Sequence, residues 1–223
     1  MPIRRVTLVE AAFPKTSEFA RLAADWTQDA AVCLLTFVWA GYDLLKAELL
    51  GRVDIKEADA DLERSITQLL EPRIRRAMSG DEPFDIQHGS YEHETSQPPP
   101  AQPPQYDLAF VLRANDRIMW PLEAKLIRSE GGVARYTSEL KANFLTCRYA
   151  PFSREAAMLG YLLITNTEQV FENISRSVPC TLARFDPFAS RPHRTSSHLR
   201  RPPAGKSYAR RFRCHHLLLV LVS

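Results

Sequence analysis

An α/β fold is predicted by three features of this 223-residue sequence. Two long helical stretches precede residue 79. Two segments with strand periodicity, 106–112 and 120–127, flank a short turn. Helix-like and strand-like segments then alternate to the end of the chain.

The first helix is expected over 16–50. Phe19, Leu22, Ala23 and Trp26 recur at helical spacing, and Leu34, Phe37, Val38, Tyr42 and Leu45 continue the stripe. Thr16-Ser17-Glu18 supplies capping residues and Gly51 a stop. A second helix is expected from residue 57 or 59 to about 78, with Leu62, Ile66, Leu69, Leu70, Ile74 and Ala77 on one face. Pro72 lies inside it and, having no amide hydrogen, is expected to kink or divide it. Residues 83–91 read as a weakly patterned strand. The proline-rich run 97–105 can be neither helix nor central strand and reads as a stiff surface loop. After the paired strands, Gly131-Gly132 breaks the chain. Val133, Tyr136, Leu140 and Phe144 mark a helix ending near Cys147. Residues 156–164 read as a buried strand, 167–176 as a helix capped by Thr167, 186–213 as a basic loop, and the final Leu217–Val222 run as a buried strand. Residues 1–56 are therefore taken as a helical extension and 57–223 as the α/β domain.

Composition narrows the function classes. Hydrophobic residues make up 45% and charged residues 25%, as in a soluble globular protein. The four cysteines are far apart and none forms a CxxC pair, which argues against a disulfide framework or a zinc ribbon and fits reduced thiols in a cytoplasm. The most apolar stretch, 30–40, is short against the roughly twenty residues that a membrane span needs, and no signal segment is expected at the start. Charge is uneven: residues 174–223 hold ten Lys/Arg and one acid, and the preceding 173 residues hold nineteen and twenty-five. A basic segment of that kind suits phosphate binding, although solvated arginine-rich loops look the same.

The chemistry is concentrated on the predicted hairpin. Ala114-Asn115-Asp116 is turn chemistry, and a turn centred on Asn115 places Leu108 opposite Leu122, Phe110 opposite Trp120, and Asp107 opposite Glu123. Opposed residues share a face, with Cβ atoms roughly 5 Å apart, and Lys125 follows Glu123 at the strand period. Two carboxylates and an ammonium thus lie on one side. Opposed carboxylates repel, and a divalent cation relieves that; hard oxygen donors suit Mg²⁺, with Mn²⁺ the alternative. The same three side chains also read as an ion-pair cluster on a wet surface.

Asp107 followed by Glu123-Ala124-Lys125 on the next strand resembles the signature of the PD-(D/E)XK, restriction-endonuclease-like nucleases. The resemblance implies an αβββαβ core with an N-terminal helical extension and added C-terminal strands. It implies that Asp107 and Glu123 hold the metal with the Ala124 carbonyl, that Lys125 assists the attacking water, and that the substrate is nucleic acid, DNA in first place. An acid on the first core helix often joins such a site; Glu63 is the candidate, with Asp61 and Glu71 competing. Tyr106 stands where the motif's name has proline, and the helix after the ExK strand lacks the Gln-x-x-x-Tyr of some exonuclease branches. The run Arg148-Tyr149-Ala150, with Met158-Leu159-Gly160-Tyr161 and Ser197-His198-Leu199-Arg200, is similar to small bacterial nucleases of defence against mobile DNA. Arg194, His198, Arg200, Arg201 and Lys206, with Arg191, Arg210 and Arg211, are then the expected contacts to the nucleic-acid backbone. The apolar first helix, with Trp26, Phe37, Val38 and Trp39, suits either packing onto the core or a homodimer or partner contact.

Overall fold

The structure, a computed structural model, describes residues 17–49, 58–92, 94–95 and 103–222, and the side chains of the first helix over 30–48. Helix α1 (Ser17–Leu49) and α2 (Asp59–Ala77) are followed by β1 (Phe84–His88), β2 (Leu108–Leu112) and β3 (Met119–Ile127). Then come α3 (Ala134–Glu139) with a π-helical turn at Leu140–Phe144, β4 (Glu155–Leu162), α4 (Thr167–Ser177), β5 (Ala183–Arg184), a 3₁₀ turn at Asp186–Phe188, β6 (His193–Leu199) and β7 (Arg211–Val220). Among the described residues the strands form one mixed sheet of seven, in the order β1-β2-β3-β4-β7-β6-β5. β3, β4 and β7 run parallel, and the remaining pairs are antiparallel.

Both faces of the central strands are covered, so β2, β3 and β4 are buried throughout. Alternation sorts their side chains. Leu108, Phe110, Trp120, Leu122, Ala124 and Leu126 pack under α1 and α2, whereas Ala109, Val111, Met119 and Ile127 pack with Tyr136, Leu140 and Phe144 on the α3 side. Helix α1 joins the same core through Leu34, Leu35, Val38, Trp39 and Leu45. By length and composition Ala30–Glu48 could cross a membrane; 44% of it is buried here. Gly41 permits the close crossing of α1 and α2, since a Cβ there would stand 2.6–2.9 Å from Ile74.

Several expectations need correction. Pro72 does not divide α2, which runs unbroken from Asp59 to Ala77. Its ring lies on the exposed side, while Leu62, Ile66, Leu70 and Ile74 anchor both halves to the core and outweigh one missing hydrogen bond. The cap of α4 is Asn166, whose side chain accepts from the Gln169 amide at 3.2 Å, rather than Thr167. The basic segment 186–213 is not all loop: His193–Leu199 pairs along its whole length with β7. The stripe Phe19, Leu22, Ala23, Trp26, its capping residues, the stop at Gly51 and most of the proline-rich run lie outside the described side chains and residues.

Three histidines are enclosed, His193, His215 and His216, each 0% exposed. His193 Nε2 lies 3.1 Å from His215 Nδ1, and His216 bridges Tyr136 Oη (2.9 Å) and Ser196 Oγ (2.7 Å). Burial, reinforced by the other histidines, pushes His193 down to about 2 and His216 to about 3. Each is neutral when folded and takes a proton near its ordinary 6.5 when unfolded. Its contribution is therefore present above that value and lost as pH falls, at about 1.4 kcal/mol per pH unit. Glu92, raised by burial to about 7, acts in the opposite sense below that pH. The difference between parent and His193→Phe isolates one histidine. Between pH 6.5 and about 5 the variant should gain about 2 kcal/mol on the parent in urea unfolding, and a constant difference would rule the account out.

Candidate active site

The predicted register is observed for Leu108 opposite Leu122 and Phe110 opposite Trp120, but the ladder ends there and does not include the expected pairing of Asp107 with Glu123. Beyond Leu108 the two strands part, and the last residue before β2, Asp107, turns its carboxylate toward β3. Its Oδ2 accepts from the Ala124 amide at 2.8 Å. Glu123 is 4% exposed, and its Oε1 accepts from Lys125 Nζ at 2.6 Å. The other oxygen, Oε2, is buried with no hydrogen-bond partner. Lys125 Nζ also donates to the Ala124 carbonyl at 2.6 Å and lies 3.5 Å from both Asp107 Oδ2 and Glu63 Oε1.

Glu63 is thus the acid that α2 brings to the site. Its Oε2 accepts from the Leu126 amide at 2.8 Å. The competing acids face elsewhere: Asp61 pairs with Arg64 and Glu71 with Arg75. Three carboxylates surround one ammonium, which sets the electrostatics. Burial raises Glu123 well above the ordinary carboxylate range, Asp107 raises it further, and Lys125 offsets only part. Burial alone would lower Lys125, but Glu123, Asp107 and Glu63 together hold it above its ordinary value.

A cleft of about 290 Å³ opens beside this cluster between α2 and the β1–β2 end of the sheet, lined by Glu63, Arg64, His88, Gln105 and Asp107 among others. Asp107 is its accessible acid, with a third of its side chain exposed. On the far side stand residues that the sequence reading missed. Glu139 adds its charge to Glu123 and Tyr149, Asn143 donates to Glu139, and Arg135 reaches within 4.0 Å of Glu63. Arg135, Glu139 and Asn143 recur every four residues, a polar stripe on one helical face that was the available signal. The π-helical turn that carries Asn143 left none. Tyr149 and Tyr161 are core residues, 6% and 0% exposed. The Tyr149 hydroxyl donates to the Gln105 carbonyl at 2.8 Å and that of Tyr161 meets Thr67 Oγ1 at 3.0 Å.

The basic residues are less free than their sequence positions imply. Arg200 is 2% exposed and gives its guanidinium to backbone carbonyls, so it cannot reach a nucleic acid. Arg191 pairs with Asp43, Arg194 with Glu168 and Lys206 with Glu94. Arg201 is exposed. His198, half-buried beside Ser196, lines a separate groove at the other end of the sheet.

The donors suit a hard cation. Carboxyl groups and a backbone carbonyl converge, and the orphaned Glu123 Oε2 is a buried oxygen with no hydrogen-bond partner. Among the described residues no group of three or more His, Cys, Asp or Glu side chains stands as a ready-made metal cage. Mg²⁺ requires no such cage, since it is commonly held by one or two carboxylates with water and phosphate. Comparison with known protein families, curated proteins and solved structures finds no match for this chain.

Proposed function

We propose that the chain is a metal-dependent nuclease of the restriction-endonuclease-like kind, hydrolysing phosphodiester bonds with DNA as the favoured substrate. The observation that carries this reading is the buried Glu123 Oε2, unpartnered in a cluster whose second carboxylate, Asp107, reaches into a cleft. A folded chain keeps so costly an arrangement where a cation completes it. The element order α2-β1-β2-β3-α3-β4 agrees with the αβββαβ order of that family's core.

Asp107, Glu123 and the Ala124 carbonyl would hold Mg²⁺, with Glu63 beside them. The ion would supply an acidified water and neutralise charge on the phosphate under attack. Lys125, released from Glu123 Oε1, orients the attacking water and balances charge in the transition state. Arg135, within 4.0 Å of Glu63, and Arg64, which lines the cleft, are the arginines that would hold the flanking phosphates.

A second reading has its own observation. Lys125 already satisfies Glu123 Oε1 and the Ala124 carbonyl, as it would in a closed ion-pair cluster on a silent nucleic-acid-binding scaffold. Incubation of supercoiled plasmid, linear single-stranded DNA and RNA with the protein, in Mg²⁺, Mn²⁺ or EDTA, separates the two. Metal-dependent cleavage is expected. Retained binding with no cleavage of any substrate by folded protein would favour the scaffold.

A further inference from the structure

A groove of about 850 Å³ lies at the end of the sheet where β4 and β7 begin and β6 ends. Arg154, Arg210, Arg211, Arg213 and His198 line it against one acid, Glu155. That acid is committed: its Oε1 pairs with Arg213 at 2.9 Å, and its Oε2 lies 3.3 Å from His215. Arg210 and Arg211 are both exposed, and with Glu155 committed they leave positive charge in excess. The floor is rigid. Arg200 holds it from beneath, its amide donating to the Arg210 carbonyl at 2.8 Å and its Nε to the Ala209 carbonyl at 2.8 Å. The Arg213 amide donates to the Arg154 carbonyl at 2.8 Å.

This site is separate from the carboxylate cluster. Arg213 pairs with Glu155, and Leu122 with Ala157, so the groove begins three positions before Glu123 and two strands across. Strand geometry makes that about 10 Å along and about 10 Å sideways. Glu155 also falls on the opposite face, in step with Ala157 under α1 and α2.

We infer that this groove is a second nucleic-acid site, where arginines grip the phosphate backbone of a strand whose scissile bond lies elsewhere. Arginine forks match phosphate oxygens in pairs, and the groove is far larger than one phosphate ion needs. Arg211, at the start of β7, and Arg210 just before it present two exposed guanidiniums to this groove. Leu199, 80% exposed at the rim, offers an apolar surface to sugar or base. The choice of nucleic acid over another polyanion rests on the nuclease reading.

The test is binding of a labelled single-stranded oligonucleotide and its duplex in EDTA, followed by anisotropy between about 50 and 200 mM salt. Arg210→Gln/Arg211→Gln should lower the slope of log affinity against log salt by about 1.5 and weaken binding at least tenfold. Lys46→Gln/Arg176→Gln, with the same loss of charge on other surfaces, should leave the slope within about 0.5 of the parent. Equal slopes in the two double variants would overturn the inference, as would absence of binding by the parent at low salt. Polyglutamate competing as well as an oligonucleotide of equal charge would overturn it too, in favour of an acidic peptide. Because EDTA removes catalysis, a parent that binds through these arginines and never cleaves DNA leaves the groove standing while the nuclease reading falls. Cleavage with an unchanged slope does the reverse.

Discussion

Glu123→Gln should cut DNA cleavage by about three orders of magnitude or more without lowering stability. Metal stabilisation of the transition state is worth several kcal/mol, and each 1.4 kcal/mol is a factor of ten. The substitution keeps the shape but removes a charge that burial and Asp107 already oppose. Lys125 keeps Asp107 and Glu63 within 3.5 Å, so its ammonium is not stranded. In EDTA the variant should unfold no earlier than the parent. In Mg²⁺ the parent should gain stability, by about 2.7 kcal/mol at a hundredfold excess over the dissociation constant, and the variant much less. Lys125→Met should behave in the opposite way. Three carboxylates then face one another without the ammonium, so the metal-free protein loses about 3–5 kcal/mol and Mg²⁺ restores part of it. Equal melting shifts by Mg²⁺ in parent and Glu123→Gln would show that Glu123 holds no metal, whatever the cleavage assay shows.

The hairpin was legible because two independent signals agree on it. The Asn115 turn and the alternation of large apolar residues specify one register, and a slip by one residue would turn every side chain over. The place of Glu63 was half legible: Asp61, Glu63 and Glu71 were the candidates on α2, and only packing shows that Glu63 is the one that meets Leu126 and Lys125. β6 was not legible. His-Arg-Thr-Ser-Ser-His-Leu has no apolar alternation, and it becomes a strand because β7 offers it a full ladder. The charge asymmetry was real in composition, but its meaning changed on folding. Arg191, Arg194 and Lys206 turned back onto acids from other parts of the chain, while Arg201, Arg210 and Arg211 stayed exposed.

Arg200→Met should cost about 4 kcal/mol of stability, whereas Arg201→Met, one residue away, should stay within about 0.5 kcal/mol of the parent. In sequence the two arginines are equivalent. In the fold Arg201 is exposed and Arg200 is enclosed, with Nε donating to the Ala209 carbonyl and Nη1 to that of Ala150, both at 2.8 Å. Its Nη2 donates to the Ser153 carbonyl at 2.9 Å, and the guanidinium lies 4.8 Å from the centre of the Phe212 ring. Among the described residues no carboxylate pairs with it, and burial lowers its pKa, so carbonyl dipoles and a ring face carry the whole compensation. Methionine fills the volume but abandons these carbonyls, at about 1–3 kcal/mol each, with partial relief from removing a buried charge. The clamp also holds a strained loop. Cys147 and Ala150 have φ of 62° and 49°, a left-handed conformation that costs a non-glycine residue about 1–2 kcal/mol. Between them lies Tyr149, which is buried and senses the charges of Glu123 and Asp107. Arg200→Met should therefore lower cleavage as well as stability, and Arg200→Lys should recover only a minor part, since one ammonium cannot span three carbonyls set for a fork. Urea unfolding of the adjacent pair decides the matter: equal stability of the Arg200 and Arg201 variants would mean that the loop carrying Cys147 and Ala150 is held by something other than this buried guanidinium.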